Sequence, residues 1–192
     1  MSTINPIRIG EAVPDLAFKV YHNDEEKKMS IGEFKGKWLV LFFYPKDFTF
    51  VCPTELEEMA GLYEKFKAEG AEIVSVSTDT VQVHKAWHDA SEAIKKITFP
   101  MAADPTHALT HTFGVHIEEE GVALRGSFVV DPDGILQALE INPDGVGRNA
   151  NELLRKVQAL KFVREHGDQV CPAGWMPGDD TLKPGLDLVG KI

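Results

Sequence analysis

The chain contains the segment Trp38-Leu-Val-Leu-Phe-Phe-Tyr-Pro-Lys-Asp-Phe-Thr-Phe-Val-Cys-Pro-Thr-Glu-Leu56. Its first seven residues are all apolar, which is typical of a β-strand buried on both faces of a sheet. Pro45 ends that strand, and a short polar and aromatic loop follows. A helical pattern begins at Cys52, because a proline at the next position and acidic residues in the first turn both suit a helix N-terminus. The segment therefore predicts a strand, a loop and a helix, with Cys52 in the first helical turn.

Strand and helix patterns alternate along the rest of the chain. A second buried strand is predicted at residues 72–78, and a strand pair at 124–130 and 135–141 flanks the turn signal Asp131-Pro-Asp-Gly134. Helices are predicted at residues 81–94, 104–113 and 151–166. This order predicts an α/β fold with a mixed central sheet flanked by helices. The glycine- and proline-rich residues 167–192 are predicted to form an irregular C-terminal tail.

Composition and charge exclude several classes of protein. The chain has 192 residues, of which 43% are hydrophobic and 26% charged, as in a single soluble domain. The longest apolar run is far shorter than the roughly 20 residues that span a bilayer. The net charge of −10 repels phosphate backbones, so nucleic-acid binding is not expected. No signal-peptide pattern opens the chain, and a cytoplasmic location is the expectation.

The two cysteines, Cys52 and Cys171, are too few and too far apart for a disulfide-rich scaffold or a C-x-x-C motif. In the cytoplasm such a pair is more often catalytic than structural. At a helix N-terminus, unpaired N–H groups and the helix dipole favour a thiolate at Cys52, which makes the residue a candidate nucleophile. Thr49 precedes it by three residues and is expected to lie beside the sulfur. On position alone, an inert buried cysteine remains an alternative.

Several motifs carry a family resemblance. The pattern Pro45-x-x-x-Thr49-x-x-Cys52 resembles the active-site pattern of the peroxiredoxins, thiol-dependent peroxidases with a thioredoxin-like fold. The C-terminal Leu186-Asp-Leu-Val-Gly-Lys-Ile192 is similar to that of the bacterial alkyl hydroperoxide reductase C branch. Other segments resemble the typical 2-Cys subgroup: Val76-Ser-Thr-Asp79, His84-Lys-Ala-Trp-His88, Phe128-Val-Val-Asp-Pro132 and Val170-Cys-Pro-Ala173. The resemblance covers nearly the whole chain and implies one peroxidase domain, with residues 1–166 as its body and 167–192 as its tail.

The resemblance implies four roles around the first cysteine. Cys52 would be the peroxidatic cysteine, Pro45 would shield the site from water, and Thr49 would hydrogen-bond the peroxide. Arg125 matches the family arginine near the thiolate. Without the resemblance, this arginine would be interpreted as a solvated surface charge.

The resemblance also implies roles for residues further from the sulfur. Arg148 matches a second, supporting arginine, with Glu55 as its expected carboxylate partner. Cys171 matches the resolving cysteine, which in this subgroup comes from the partner subunit. The chain lacks the Gly-Gly-Leu-Gly insertion and C-terminal Tyr-Phe of easily over-oxidised relatives, so the tail is expected to unfold readily and expose Cys171.

The implied activity is antioxidant reduction of hydrogen peroxide and organic hydroperoxides through a sulfenic acid and an intersubunit disulfide. The implied reductant is a flavoprotein disulfide reductase or a thioredoxin. No metal, haem or flavin is expected as a cofactor. The implied assembly is a homodimer, with five dimers closing into a decamer.

Two other motifs have weaker interpretations. The string Gly145-Val-Gly-Arg-Asn-Ala150 mimics a dinucleotide fingerprint, but it follows a hairpin strand, so a simple turn is the better interpretation. The pairs His84/His88 and His107/His111 have the i, i+4 spacing of metal ligands. No third ligand has suitable spacing in the sequence, so helix-surface histidines are a better interpretation than a metal site.

Two functions of other classes stay open at this point. One is a chaperone or redox-signalling partner in which peroxidase turnover is secondary. The other is a structural protein whose cysteines never react. Steady-state peroxide consumption with a reductant, and thiol titration before and after peroxide, distinguish these from a peroxidase.

Overall fold

The computed structural model describes residues 5–191, so residues 1–4 of the predicted body and Ile192 of the C-terminal match lie outside the described residues. Seven strands form one mixed sheet in the order β2-β1-β5-β4-β3-β8-β9. The strands are β1 (Ala17–His22), β2 (Glu25–Ser30), β3 (Trp38–Phe43), β4 (Ala71–Ser77), β5 (Met101–Ala103), β6 (His116–Ile117), β7 (Val122–Ala123), β8 (Arg125–Val130) and β9 (Leu136–Asn142). β6 and β7 form a separate hairpin. The helices are α1 (Cys52–Ala68), α2 (Val81–Ala90), α3 (Ala108–Thr112) and α4 (Ala150–Glu165).

Strand β3 lies in the interior of the sheet, parallel to β4 and antiparallel to β8. All six of its residues are buried. Alternate side chains enter two separate apolar cores: Phe42 packs in the core that includes α1 and α4, and Phe43 in the core on the opposite face. Burial on both faces accounts for the continuous apolar run, and the predicted α/β architecture is confirmed.

Strands β1, β2 and β5 had no counterpart in the sequence-based prediction. β1 pairs antiparallel with both β2 and β5, which extends the sheet on the side of β4. β2 is an edge strand with the sequence Glu25-Glu-Lys-Lys-Met-Ser30, and its charges suit an edge exposed to solvent. Such a strand has no alternating apolar pattern, and β5 has only three residues, so neither was detectable from periodicity.

Two helices are shorter than predicted. α2 ends at Ala90 rather than at residue 94, because Ser91 has an extended backbone (φ −109°, ψ 122°). Ile94 lies in a separate 3-10 turn but packs in the same core as Trp87, so the apolar spacing continues past the end of the helix. α3 begins at Ala108 rather than at residue 104, after Asp104, whose carboxylate accepts hydrogen bonds from two N–H groups of the helix. Within residues 5–191, no helix has the length and apolar character needed to cross a membrane.

The irregular C-terminal tail is confirmed over residues 167–191. A single antiparallel bridge joins Val170 to Leu182. Trp175 is buried and packs against Phe162 of α4, with ring centroids 5.1 Å apart. Arg155 of α4 donates from Nη1 to the carbonyl oxygen of Trp175 at 3.0 Å. The tail is therefore attached to α4 mainly through one aromatic side chain and its neighbours.

Candidate active site

The loop between β3 and α1 is held in place by a buried polar network. The carboxylate of Asp47 accepts a hydrogen bond from the Tyr44 hydroxyl at 2.7 Å and lies 2.8 Å from Nδ1 of His84. The N–H of Asp47 donates to the carboxylate of Asp79 at 2.9 Å. Burial raises the pKa of Asp47, although His84 opposes the shift. These bonds fix the loop that carries Pro45 and leads into Cys52.

Cys52 is the first residue of α1, as predicted, and it is fully buried. Its Sγ lies 3.4 Å from Nη1 of Arg125, which projects from the first residue of β8. β3 and β8 are neighbours in the sheet, so the β3–α1 loop and the start of β8 meet at one end of it. The sheet topology thus brings a thiol and a cation together across 73 positions of sequence.

Glu55 joins the two predicted arginines. Its Oε2 accepts from Nη1 of Arg125 at 2.8 Å, and its Oε1 accepts from Nε of Arg148 at 2.9 Å. Arg148 also donates to the Gly126 carbonyl oxygen at 2.7 Å, and its guanidinium lies 3.5 Å from the centre of the Phe42 ring. Two buried cations thus share one buried carboxylate.

Burial and the charges of this group together shift the pKa values of the two arginines in opposite directions. Burial lowers the pKa of Arg125, but the sulfur of Cys52 and the carboxylate of Glu55 outweigh it, so the net pKa is raised. For Arg148, which is more deeply enclosed, burial dominates over Glu55 and the pKa is lowered. Arg125 therefore has the stronger stabilisation of its positive charge, and it is the arginine in contact with the sulfur.

Asp144 completes the environment of Arg125, and sequence reasoning missed it. Its carbonyl oxygen accepts from Nε at 2.6 Å and its carboxylate accepts from Nη2 at 2.8 Å. The carboxylate is 69% exposed, so solvent screens its charge. Asp144 lies in a loop after β9, and no pattern in the sequence connects it to Arg125.

A cleft of about 280 Å³ leads toward this site. Pro45, Thr49 and Arg125 contribute to its walls, and the β6–β7 hairpin contributes the opposite side through Ile117 and Val122. The Thr49 hydroxyl donates to the carbonyl oxygen of Lys46 at 2.9 Å rather than to the sulfur. The lone pairs of the Thr49 hydroxyl oxygen can therefore accept a hydrogen bond from a ligand. Because Cys52 itself has no exposed surface, a small movement of the loop or the first helical turn is needed for access.

Cys171 lies in the tail and is a free thiol, like Cys52. It is half-buried, and its Sγ lies 3.9 Å from the carbonyl oxygen of Ala159 in α4. Burial raises the pKa of this thiol above its ordinary value of 9.0, although Arg155 opposes the shift. In the closed tail, burial therefore disfavours the thiolate form of Cys171.

Helix α1 separates the two cysteines of one chain. Cys52 is the first residue of α1, and Glu69 follows its last residue. The Glu69 carboxylate accepts a hydrogen bond from the side chain of Gln158 in α4 at 2.9 Å. Cys171 contacts the next residue of α4, Ala159. A helix of 17 residues spans about 25 Å. The two sulfurs within one chain are therefore on the order of 20 Å apart, whereas a disulfide needs Cα atoms within about 7 Å.

The glycine string before α4 does not form a phosphate site. The N–H of Arg148 donates to Glu55 Oε1 at 2.8 Å, and the N–H of Ala150 lies 3.3 Å from Glu58 Oε2. Carboxylates thus occupy the positions where a phosphate would bind, and they would repel it. The string instead packs against α1: a Cβ at Gly147 would lie 3.4 Å from a methyl group of Val51.

Comparisons with known proteins show which family the sequence matches and which solved structures the fold resembles. The sequence matches the AhpC/TSA family over residues 9–139 and the C-terminal domain of 1-Cys peroxiredoxin over residues 159–189. It is 54% identical over 169 residues to alkyl hydroperoxide reductase C of Staphylococcus haemolyticus, covering 88% of this chain and 89% of that protein. The fold is similar to the crystal structure of Enterococcus faecalis AhpC, with a TM-score of 0.83 and 49% identity over 85% of this chain and 98% of that one. It is also similar to reduced Plasmodium vivax 2-Cys peroxiredoxin, with a TM-score of 0.90 and 29% identity over 95% and 96% of the two chains.

Proposed function

The chain belongs to the AhpC/TSA family of peroxiredoxins, and on this basis we propose that Cys52 reacts with the hydroperoxide and that Cys171 of a second subunit resolves the product. The protein is a thiol-dependent peroxidase with the thioredoxin-like α/β fold. The proposal concerns which residues perform each step. It includes Thr49, Pro45, Arg125, Glu55 and Arg148 in the roles that the family resemblance implies.

The observation that carries the assignment of Cys52 is its contact with Arg125. The buried group formed by Arg125, Arg148 and Glu55 has one positive charge in excess, which is offset only by the exposed, solvent-screened carboxylate of Asp144. A thiolate at Cys52, 3.4 Å from Arg125 Nη1, supplies a second negative charge on the buried side of this group. An uncompensated buried charge is costly, so the arginine pair stabilises negative charge on this sulfur.

The first step is a two-electron transfer from sulfur to oxygen. The Cys52 thiolate attacks the terminal peroxide oxygen, so that an S–O bond forms and the O–O bond breaks. The departing oxygen takes the electron pair and a proton and leaves as water or an alcohol. Arg125 is in position to stabilise the charge that moves to that oxygen. The lone pairs of Thr49 are available to accept a hydrogen bond from the peroxide O–H.

The second step joins two subunits. The Cys52 sulfenic acid condenses with the Cys171 thiol to give a disulfide and water. The separation of about 20 Å within one chain favours a Cys171 from another subunit. An external dithiol then returns both sulfurs to thiols by supplying two electrons, and a flavoprotein disulfide reductase or a thioredoxin fits this role. A reducing compartment such as the cytoplasm suits this cycle.

Features of the sheet edge favour an oligomer. β9 is the last strand of the sheet, and the described chain pairs with its outer edge only at its start, where Leu136 exchanges backbone hydrogen bonds with Gly10 and Glu11. Leu139 and Ile141 on this strand are 40% and 39% exposed. Pairing of two β9 edges would cover both features and form a homodimer. Phe48 and Phe50 are exposed apolar side chains in the β3–α1 loop and suit a contact between dimers in a decamer.

The test is peroxide consumption by two serine variants in the presence of each candidate reductant. Cys52→Ser is expected to consume no peroxide above the background rate. Cys171→Ser is expected to react once with peroxide at the wild-type rate and then to accumulate sulfinic acid at Cys52. Turnover by Cys52→Ser would exclude this residue as the nucleophile. Light scattering of the reduced protein checks the assembly, and a monomeric mass would exclude the proposed dimer and decamer.

A further inference from the structure

Three histidines meet outside the peroxide cleft. His107 immediately precedes α3, His111 lies within it, and His116 is the first residue of β6. The ring centroids of His107 and His116 lie 4.4 Å apart, and those of His111 and His116 lie 4.3 Å apart. One nitrogen from each ring lies within 4.8 Å of the others. These three residues are called the histidine cluster below.

The sequence pattern exposed only part of this arrangement. His107 and His111 have helical spacing, but His116 follows in a different element and had no such relation to them. The tight turn between α3 and β6 brings the third ring back over the first two: Gly114 has φ +66°, and Val115 donates from its N–H to the carbonyl oxygen of Thr110 at 3.0 Å. The third ligand that the pair of histidines lacked in the sequence is thus supplied by the fold.

We propose that the histidine cluster binds a borderline divalent transition metal of the Zn²⁺ class, at a site separate from the peroxidatic cysteine. Three imidazoles are a common donor set for Zn²⁺, which takes nitrogen ligands at about 2.0–2.1 Å and a tetrahedral geometry. A fourth position remains for water or a carboxylate. Glu118 is in reach of that position, because its carboxylate oxygens lie 3.6 Å from His111 Nδ1 and 3.7 Å from His116 Nε2.

The spacing of the ring nitrogens suits closure on a metal. Tetrahedral ligands at these bond lengths lie about 3.3 Å from one another, so the widest pair must approach by about 1.5 Å. His107 and His111 are only partly buried, and rotation of their side chains supplies this movement toward His116, whose side chain is 5% exposed. The site also has an approach for the metal, since 32% of the His111 side chain and 78% of the Glu118 side chain are exposed.

A metal bound at the histidine cluster would connect α3 to a wall of the peroxide cleft. His116 and Ile117 are the two residues of β6, and Ile117 contributes to the wall of the peroxide cleft. A metal held by α3 and β6 would therefore attach the β6–β7 hairpin to the body of the protein. The bound ion would limit movement of one cleft wall without touching the reacting sulfur.

The experiment uses the full-length protein, reduced with a phosphine because thiol reductants compete for metal, and stripped with a chelator that is then removed. Zn²⁺ is titrated by calorimetry, and Co²⁺ is titrated in parallel by visible absorption. His111→Gln removes one ligand from a partly exposed position. His107→Asn removes another, and asparagine tolerates the left-handed backbone found there (φ +60°). His166→Gln is the matched control, since this exposed histidine lies at the end of α4.

The expected result is about one Zn²⁺ per wild-type chain, with affinity at least about tenfold weaker in both cluster variants and unchanged in His166→Gln. Zn²⁺ should also raise the thermal unfolding temperature of the wild type and of His166→Gln, but not of the two cluster variants. The proposal is overturned if the wild type binds no Zn²⁺ or if His111→Gln and His107→Asn bind it as tightly as the wild type. A thiolate-to-cobalt charge-transfer band retained in both variants would assign the metal to the cysteines instead and would equally overturn it.

Discussion

Nη1 of Arg125 lies 2.8 Å from Oε2 of Glu55, and the same nitrogen lies 3.4 Å from the sulfur of Cys52. The guanidinium nitrogen thus donates one hydrogen to the carboxylate and is left with one for the sulfur. Glu55 and Asp144 position Arg125 together, and Glu55 is the buried anion that both arginines contact. The position of the cation at the sulfur therefore depends on a carboxylate that does not itself contact the sulfur.

Glu55→Gln is expected to lower the free energy of unfolding by about 3–5 kcal/mol, because it leaves the buried Arg148 without a carboxylate and Arg125 with only the exposed one of Asp144. Urea denaturation measures this change. The matched control is Glu57→Gln on the same helix, whose partner Lys96 is exposed, and its effect should be within about 1 kcal/mol. Equal effects of the two substitutions would show that the buried ion group does not stabilise the fold.

Arg125→Lys is expected to slow the reaction of Cys52 with hydrogen peroxide by about 100-fold or more. Lysine retains the charge but lacks the planar fork that contacts Glu55, Asp144 and the sulfur together. Stopped-flow measurement of the first oxidation step gives the rate. Arg164→Lys, at an exposed ion pair on α4, should leave the rate unchanged. A wild-type rate for Arg125→Lys would mean that any cation at this place suffices.

Thr49→Val is expected to reduce the same rate by about 100-fold, and Thr49→Ser by only a few-fold, since serine keeps the hydroxyl. The reason is that the Thr49 hydroxyl already donates to Lys46, which orients its lone pairs for a peroxide O–H. Circular dichroism of both variants checks that the loop change does not unfold the protein. If valine and serine slow the reaction equally, the hydroxyl has no part in peroxide binding.

Disulfide formation should become faster as the pH rises through about 9, the ordinary pKa of the Cys171 thiol. Burial raises the pKa of this thiol in the closed tail, so the closed form is favoured fully below pH 9 and loses this advantage as the pH rises toward the raised value. Opening of the tail releases the thiol, which then ionises and attacks the sulfenic acid. Trp175, buried beside α4, provides a fluorescence signal for the opening. A disulfide-forming rate that is constant or falls between neutral pH and about pH 9.5 would contradict this coupling.

The sequence predicted the centre of the fold more completely than its margins. β3 and α1 were predictable because their patterns lie in consecutive residues. β3 is a continuous apolar run, and α1 has an acidic first turn. β2 is charged throughout its first four residues and gains its structure from pairing with β1, which is a relation between distant residues. The end of α2 was predicted too late because the backbone leaves the helix at Ser91 while the apolar spacing continues to Ile94.

The family resemblance indicated which residues belong to the site, and the structure shows which of them are in contact. Cys52, Arg125, Glu55 and Arg148 are brought together as expected. Asp144 and the buried network around Asp47 were not identified, because each depends on loops whose course is set by the whole sheet. His116 was missed for a similar reason, since a turn rather than a helical period brings it to His107.

The most direct test of the account is the product formed when the reduced wild-type protein reacts with one equivalent of hydrogen peroxide. The account predicts a covalent dimer on a non-reducing gel, and mass spectrometry of its peptides should find Cys52 joined to Cys171. Cys171→Ser should give no such dimer. A disulfide-bonded monomer, or a dimer joined through two Cys52 residues, would contradict the assignment of Cys171 from a second subunit as the resolving cysteine.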